Sequence, residues 1–380
     1  MKILLLEYIT AGGCSSKRLP PSLLREAKLM RDAVLADLSD ISGIEIVTSY
    51  DARLHLPAER LLLSNIEAIS IAPHDNAITI WQTLLQRCDA VLLIAPETEQ
   101  LLSKLTSMVA MSSVKNLGCT QSAVDLATNK YDTCRLLQAA SILTISTYRV
   151  SEFLQPALQQ RLPVSSAYVL KPIDGAGCTN TLYFNDAAAV NSYLKQYVDA
   201  DNNAAPQPSK NMQPASLPPD LIIQPYQAGT PASMTLLCKQ GRAWLLSCNQ
   251  QHIVINKEQN PASIEYRGGE VNALQQHQAA FTQLAQTIAA AMPGLNGYVG
   301  VDVIIHGADI YVVEINPRIT TSYIGLRESL GCNPMQLLLD LERATDLVAD
   351  ITADFTAAAT VDFKLPQTIG NKTVEISLYA

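Results

Sequence analysis

Residues 297–318, GYVGVDVIIHGADIYVVEINPR, decide the fold. Two apolar runs flank Gly307–Asp309, a pattern that predicts an antiparallel hairpin. Side chains alternate along a strand, so Gly300, Asp302 and Ile304 share one face, and Val312, Glu314 and Asn316 share a face of the second strand. With a three-residue loop over Gly307–Asp309, Asp302 stands directly opposite Glu314. A two-residue loop would send one of them to the other face. Facing carboxylates repel by up to about 1 kcal/mol, so a cation is expected between them. Asn316 adds a neutral oxygen on the same face. Hard oxygen donors without thiol or imidazole suit Mg²⁺ or Mn²⁺ shared with substrate phosphates. Arg318, just beyond, could pair with a phosphoryl group through its fork. A solvated hairpin end accounts equally for Asp302 and Glu314 alone; the tight Glu-x-Asn-x-Arg run favours the site.

Upstream, Lys171 ends the apolar run YVLK, where a half-buried ammonium needs an anion, and Pro172 keeps it out of a helix. DGAG (174–177) follows, and Gly175 and Gly177 free backbone N–H groups to approach phosphate oxygens. A plain turn would explain DGAG by itself. Lys130 lies on or near a helix read over 122–140, a position that also suits a surface lysine. LIIQPYQAG (221–229) reads as a strand running into a linker between two lobes. Gln224, Pro225 and Tyr226 could line an adenine slot there, or the strand could simply cross between subdomains.

At 380 residues the chain exceeds what one core usually carries, so two or three domains are expected. Over 1–118 the strands KILLLEY, GIEIVTSYD and CDAVLLIAPE alternate with helical stretches, which predicts a small doubly wound α/β domain. Its first loop, TAGGCSS, is not a dinucleotide fingerprint and reads as a glycine turn. Residues 119–226 read as a linker helix and small lobe, with a Pro/Asn/Gln/Ser-rich insertion at 201–219. Residues 227–380 read as a large lobe with the hairpin, a helix over 272–292 and a strand-like ATVDFKL (359–365). A net charge of −8 argues against nucleic acid as a partner. The eight cysteines form no CxxC pair, which argues against zinc and for reduced thiols in a cytosol. No apolar run approaches a membrane span, and Glu7 interrupts the N-terminal run too early for a signal peptide, so a cytoplasmic protein is expected.

In this order — α/β domain, Lys130, Lys171 with DGAG, QPY, Asp302, VEINPR — the chain resembles the ATP-grasp superfamily over about residues 1–330. Within it, MKILLLEYITAGG, LKPIDGAGC, GTPASMTLL, SCNQQ and GYVGVDVI look most like the tyramine–glutamate ligases of methanofuran biosynthesis. The resemblance implies an ATP-grasp fold with an N-terminal pre-ATP-grasp domain, and ATP with Mg²⁺ as cofactors. It implies that Lys130 and Lys171 hold nucleotide phosphates while Gly175 and Gly177 close over them. Gln224 and Tyr226 would flank the adenine, Asp302, Glu314 and Asn316 would bind two Mg²⁺ ions, and Arg318 would stabilise an acyl phosphate. The implied reaction joins a small carboxylate to an amine; a homodimer is the usual state. Two departures stand out: Cys178 occupies a position that is often serine, and GTPAS lacks the glutamate of a GxE element, which leaves the ribose contact unassigned. A different amino-acid or polyglutamate ligase of the superfamily fits the same motifs, as does a regulator that binds nucleotide without turnover. For the acceptor pocket, Glu7, Thr10, Gly12 and Gly13 are candidates, with Arg267 of RGGE as another.

Overall fold

The computed structural model describes residues 1–54, 63–162, 166–202, 220–258, 261–352, 363–366 and 369–378. The N-terminal part is a five-stranded parallel sheet. It is built from β1 (Lys2–Glu7), β2 (Glu45–Asp51), β3 (Ile66–Ile71), β4 (Ala90–Ile94) and β5 (Lys115–Asn116), in the order β3-β2-β1-β4-β5. Parallel strands need crossovers, and α1 (Pro21–Ser39), α2 (Ala77–Leu85) and α3 (Leu101–Ala110) supply them. β1 is buried on both faces, which is why KILLLE reads as a continuous apolar run rather than an alternating one. Strands β3 and β5 are additions to the three strands read from sequence.

The helix read over 122–140 is two helices, α4 (Gln121–Thr128) and α5 (Lys130–Ala139), broken at Asn129. Asn129 leaves the helical conformation, and its side chain accepts from the backbone N–H groups of Tyr131 and Asp132 at 3.1 Å each. An asparagine N-cap thus puts Lys130 in the first turn of α5.

The remaining strands form one antiparallel sheet. They are β6 (Tyr148–Arg149), β7 (Tyr168–Pro172), β8 (Leu182–Phe184), β9 (Leu221–Pro225), β10 (Thr230–Lys239), β11 (Arg242–Asn256), β12 (Ala262–Val271), β13 (Gly297–His306), β14 (Asp309–Asn316) and β15 (Val374–Ser377). Their order is β14-β13-β10-β11-β12-β8-β7-β9-β6, with β15 on β12. The longer helices of this part are α6 (Ala187–Asn202), α7 (Gln278–Ala291) and α8 (Pro334–Thr352), beside short helices at Val150–Phe153, Pro156–Gln159 and Leu326–Leu330. The insertion expected at 201–219 lies outside the described residues except for Asp201 and Asn202, which end α6. The strand expected over 359–365 lies outside them up to 362, and 363–366 carry no regular structure.

Two apolar clusters run through both the parallel sheet and the β10–β13 part of the large sheet: Leu4 and Trp81 pack in the cluster that holds Met234 and Val301. The third, Phe153, Tyr168, Leu170, Phe184, Val190, Leu194, Leu221 and Ile223, belongs to β7–β9, α6 and the short helix Val150–Phe153.

The hairpin corrects one expectation and keeps its result. His306 pairs with Asp309, so the turn is the two residues Gly307 and Ala308. That length should have placed Asp302 and Glu314 on opposite faces. A bulge between Asp302 and Val303 shifts the register: Val303 pairs with Val312, but Asp302 pairs with Glu314 and Gly300 with Asn316. The odd residue sits in the strand at Val313 instead of in the turn.

The cap that starts α5 carries a measurable load. Asn129→Ala should destabilise the chain by about 1 kcal/mol, and Asn129→Ser should recover most of it. An unchanged denaturant midpoint for the alanine variant would show that the helix break is held by packing instead.

Candidate active site

One cleft of about 410 Å³ lies where the parallel sheet, β7–β9 and the β13–β14 hairpin meet. Every residue selected from sequence for phosphate, adenine, metal or catalysis lines it: Lys130, Lys171, Gly175, Gly177, Gln224, Tyr226, Asp302, Glu314, Asn316 and Arg318. Asp302 accepts from Gln251 Nε2 at 2.9 Å and from Asn316 Nδ2 at 3.2 Å. Burial, and then the neighbouring Glu314 charge, push the Asp302 carboxyl up to about 7. Burial works the same way on Glu314, but the lysine charges overrule it and hold that carboxylate below its ordinary range.

Those lysines come from different elements. Lys130 Nζ stands 3.5 Å from Glu314 and Lys171 Nζ 3.9 Å. Both side chains are at most 9% exposed, so their charges are spent on this site rather than on solvent. Burial pushes the Lys171 ammonium pKa down against the pull of Glu314. Lys130 is also tied to the glycine loop: its Nζ donates to the Gly175 carbonyl at 2.9 Å, and its N–H to the Ile173 carbonyl at 3.0 Å. Gly175 and Gly177 have φ of +134° and +65°, while a Cβ at either would meet nothing closer than 3.8 Å. Backbone conformation, rather than crowding within the chain, demands glycine there. Cys178 follows in the left-handed region at φ +60°, and burial pushes its thiol up to about 12.

At the far end, Gln224 is buried and donates to Thr147 Oγ1 at 2.8 Å. Tyr226 is exposed and stacks edge-on against Tyr183.

The parallel sheet supplies residues that the sequence gave no reason to choose. Arg318 does not hold a free fork. Its Nε and Nη2 donate to the two oxygens of Glu97 at 2.8 Å each, and Nη1 to the Ile319 carbonyl. Glu97 is buried in the loop after β4. Burial opposes the Arg318 charge, and Glu97 outweighs it and raises the guanidinium pKa. Three residues on, the Gln100 N–H reaches Asp174 of the glycine loop at 3.3 Å. Glu26 of α1 accepts from Thr321 Oγ1 at 3.2 Å.

The acceptor-pocket expectations fare differently. Glu7 lines the cleft, but its carboxylate is taken by its own turn: it accepts from the Ile9 and Thr10 N–H groups and from Thr10 Oγ1. Gly12 and Gly13 lie behind it against Ile71 and Tyr8. Arg267 is exposed beside Glu265 and does not line the cleft; its strand neighbours Ile264 and Tyr266 do. Alternation on β12 therefore turns Arg267 away.

Comparison with known proteins agrees with this architecture. The family model described as "ATP-grasp domain" matches residues 127–322, and that described as "pre ATP-grasp 3 domain" matches 44–124. A tyramine–L-glutamate ligase of Methanocaldococcus fervens is 30% identical over 328 residues, 86% of this chain and 89% of the relative. That of Methanocaldococcus jannaschii is 28% identical over 327 residues, 86% of this chain and 84% of the relative. Among solved structures, an ATP-grasp superfamily protein from Archaeoglobus fulgidus superposes with a TM-score of 0.61 at 21% identity, covering 90% of this chain and 88% of that one.

The Asp302 shift has a signed consequence for the chain without divalent cations. Asp302 stays protonated up to about 7 in the fold but ionises near 3.8 when unfolded. Between those values the native state binds more protons than the unfolded one, so stability falls as pH rises through that window. Asp302→Asn removes this loss. In EDTA it should be more stable than the parent at pH 8, by on the order of a few kcal/mol at most, and the gap should narrow as pH falls and close only near 3.8. A gap independent of pH would mean that Asp302 is not the group losing its proton.

Proposed function

The chain belongs to the ATP-grasp family, and from that premise we propose that it joins glutamate to tyramine, or to a closely similar amine, at the expense of ATP. The reaction type is that of the family's carboxylate–amine ligases. The single observation that carries it is the convergence on one cleft of two lysines, a glycine loop and a facing carboxylate pair from four separate elements. The two relatives named for the glutamate–tyramine reaction support the choice of substrates, and with it the methanofuran-type route.

Lys130 and Lys171 hold the nucleotide phosphates, and the Gly175–Gly177 loop covers them. Gln224 and Tyr226 flank the adenine. Asp302, Glu314 and the Asn316 amide are the residues that would hold Mg²⁺ or Mn²⁺. They fit such an ion: both lysines turn to Glu314, while Asp302 is held by the amide donors of Gln251 and Asn316. Among the described residues, no three His, Cys, Asp or Glu side chains form a cation cage, so phosphate oxygens would complete the shell. A divalent cation bound there supplies charge neutralisation to the phosphates.

The carboxylate substrate attacks the γ-phosphorus, its new O–P bond replacing the one to the departing ADP. The neutral amine then bonds to the acyl carbon, the acyl C–O bond to phosphate breaks so that phosphate leaves with that oxygen, and the nitrogen releases one proton to solvent. Neither step needs a protein nucleophile; alignment and charge stabilisation carry the rate. Arg318, held by Glu97, faces the charge that develops on the acyl phosphate.

ADP release from ATP should require glutamate, and sustained turnover should require the amine. Mass spectrometry should find a product equal to both substrates less one water. ADP formation indifferent to any acid would sink the proposal. Below about pH 7 the cation must displace the Asp302 proton, so Mn²⁺ affinity should weaken by up to about tenfold per pH unit. A flat affinity from pH 8 to 6 would remove Asp302 from the metal set.

Single variants should separate the roles. Lys171→Ala should weaken ATP binding at least about tenfold, a loss of about 1.4 kcal/mol, with little change in unfolding midpoint. Arg318→Lys and Glu97→Gln should each keep ATP affinity within a few-fold and lower kcat by roughly a hundred-fold. Normal kcat in both would make the pair a purely structural tie.

A further inference from the structure

The cleft continues past Arg318 to a wall that the reaction described so far does not use. Leu23, Glu26, Ala27 and Met30 of α1 all line it. Their spacing puts them on one face of the helix. Ile9 and Ile94, at the carboxyl ends of β1 and β4, line the same region. Ala27, Met30, Ile9 and Ile94 are buried, so this is an apolar compartment. Glu26 is the one charged side chain that the helix sends into it. One of its oxygens accepts from Thr321; the other has no hydrogen-bond partner among the described residues.

A carboxylate in an apolar wall is costly without a counter-charge. The nearby cation, Arg318, attracts Glu26 from a distance but gives its Nε and Nη2 donors to Glu97 at 2.8 Å each, so it makes no hydrogen bond to Glu26. Glu7, the other carboxylate of this wall, is saturated by its own turn. Glu26 is therefore left with charge to offer. Burial keeps its pKa raised, as expected of a carboxyl that lacks a full partner. It also lies within electrostatic reach of Cys178 in the glycine loop and of Tyr266 on β12, so the compartment adjoins the phosphate end of the cleft.

We propose that Glu26 and the Leu23–Ala27–Met30 face of α1 form the subsite for the amine substrate, with the carboxylate receiving a primary ammonium and the apolar face its hydrocarbon or aromatic body. This rests on the ligase reading for the subsite's purpose, but not for its detection. A cation fills the need of Glu26, and an apolar body fills the wall. A glutamate-like substrate could meet Glu26 through its α-ammonium, but its two carboxylates do not fit an apolar wall. Specificity for amines with apolar bodies follows, because a hydrophilic amine would leave the wall exposed to water and a neutral analogue would leave Glu26 unpaired.

Binding, measured by calorimetry on the full chain with a non-hydrolysable ATP analogue and Mg²⁺, tests this without turnover. The probes are tyramine, phenethylamine and hexylamine, each against its uncharged counterpart (4-ethylphenol, ethylbenzene and hexanol). The parent chain should bind at least one amine ten-fold or more tighter than its counterpart. Glu26→Gln, which keeps the acceptor for Thr321, should abolish that preference and leave nucleotide and glutamate affinity unchanged. Ala27→Trp, which fills the wall, should weaken amine and counterpart alike. No preference in the parent, a preference that survives Glu26→Gln, or loss of glutamate affinity with amine affinity kept would each overturn the assignment. Failure of acid-dependent ADP release would count against the ligase reading alone, since these affinities do not depend on it.

Discussion

Two carboxylates cannot share a partly dry cleft without positive charge, and the middle of this molecule is arranged around that constraint. Asp302 and Glu314 stand opposite each other because a bulge at Val313 compensates a two-residue turn. Lys130 reaches them from the first turn of α5 and Lys171 from the end of β7. Removing both lysines would leave Glu314 buried without a counter-charge, at a cost of several kcal/mol, whereas either lysine alone still faces it. The cluster therefore holds β7, α5 and the hairpin in register even though their strands are not neighbours in the sheet. It also leaves one group short. Lys130 and Lys171 both turn to Glu314, and Asp302 is left with amide donors from Gln251 and Asn316. That imbalance is what makes the cleft receptive to a further cation.

A second buried pair ties the parallel sheet to this centre. Glu97 grips Arg318 across 221 residues of sequence. The same segment touches the glycine loop through Gln100 and Asp174. Glu99 and Gln100 both have φ near +56°, a conformation that costs non-glycine residues of the order of 1–3 kcal/mol each and persists only where the surroundings impose it. The segment is thus held by its contacts at both ends. In the proposed reaction the orientation of Arg318 and the position of the loop over the phosphates are set by one short stretch of chain.

Much of this was legible in the sequence, for a physical reason. Strand alternation is a strict period, so an assumed three-residue turn set Asp302 against Glu314, and a bulge keeps that facing although the turn has two residues. What the pattern could not locate was the odd residue: VVEIN contains no glycine or proline to mark a bulge, and the turn was the natural place to assign it. Lys171 and DGAG were legible because a lysine closing an apolar strand and two close glycines are both unusual. Glu26 and Glu97 carried no such signal. A single glutamate on an amphipathic helix or in a loop looks like a solvated side chain, and these two are covered only by elements some 295 and 221 residues away. Arg267 failed for the converse reason: RGGE looks functional, but one step of strand parity turns the arginine outward and Tyr266 in.

The apolar cluster of β7–β9 and α6 shares no side chain with the other two. A core that closes on itself defines a cooperative unit with its own melting behaviour. Among the described residues, this unit meets the rest through the sheet by two residue pairs between β8 and β12, Ala262 with Tyr183 and Ser263 with Leu182. A nucleotide spanning the cleft would touch both bodies, and so would act as a non-covalent staple whose strength grows logarithmically with its concentration. Two units that unfold separately when empty would then unfold as one when filled. For such a chain, occupancy is a change in the number of cooperative parts and not only an added increment of stability.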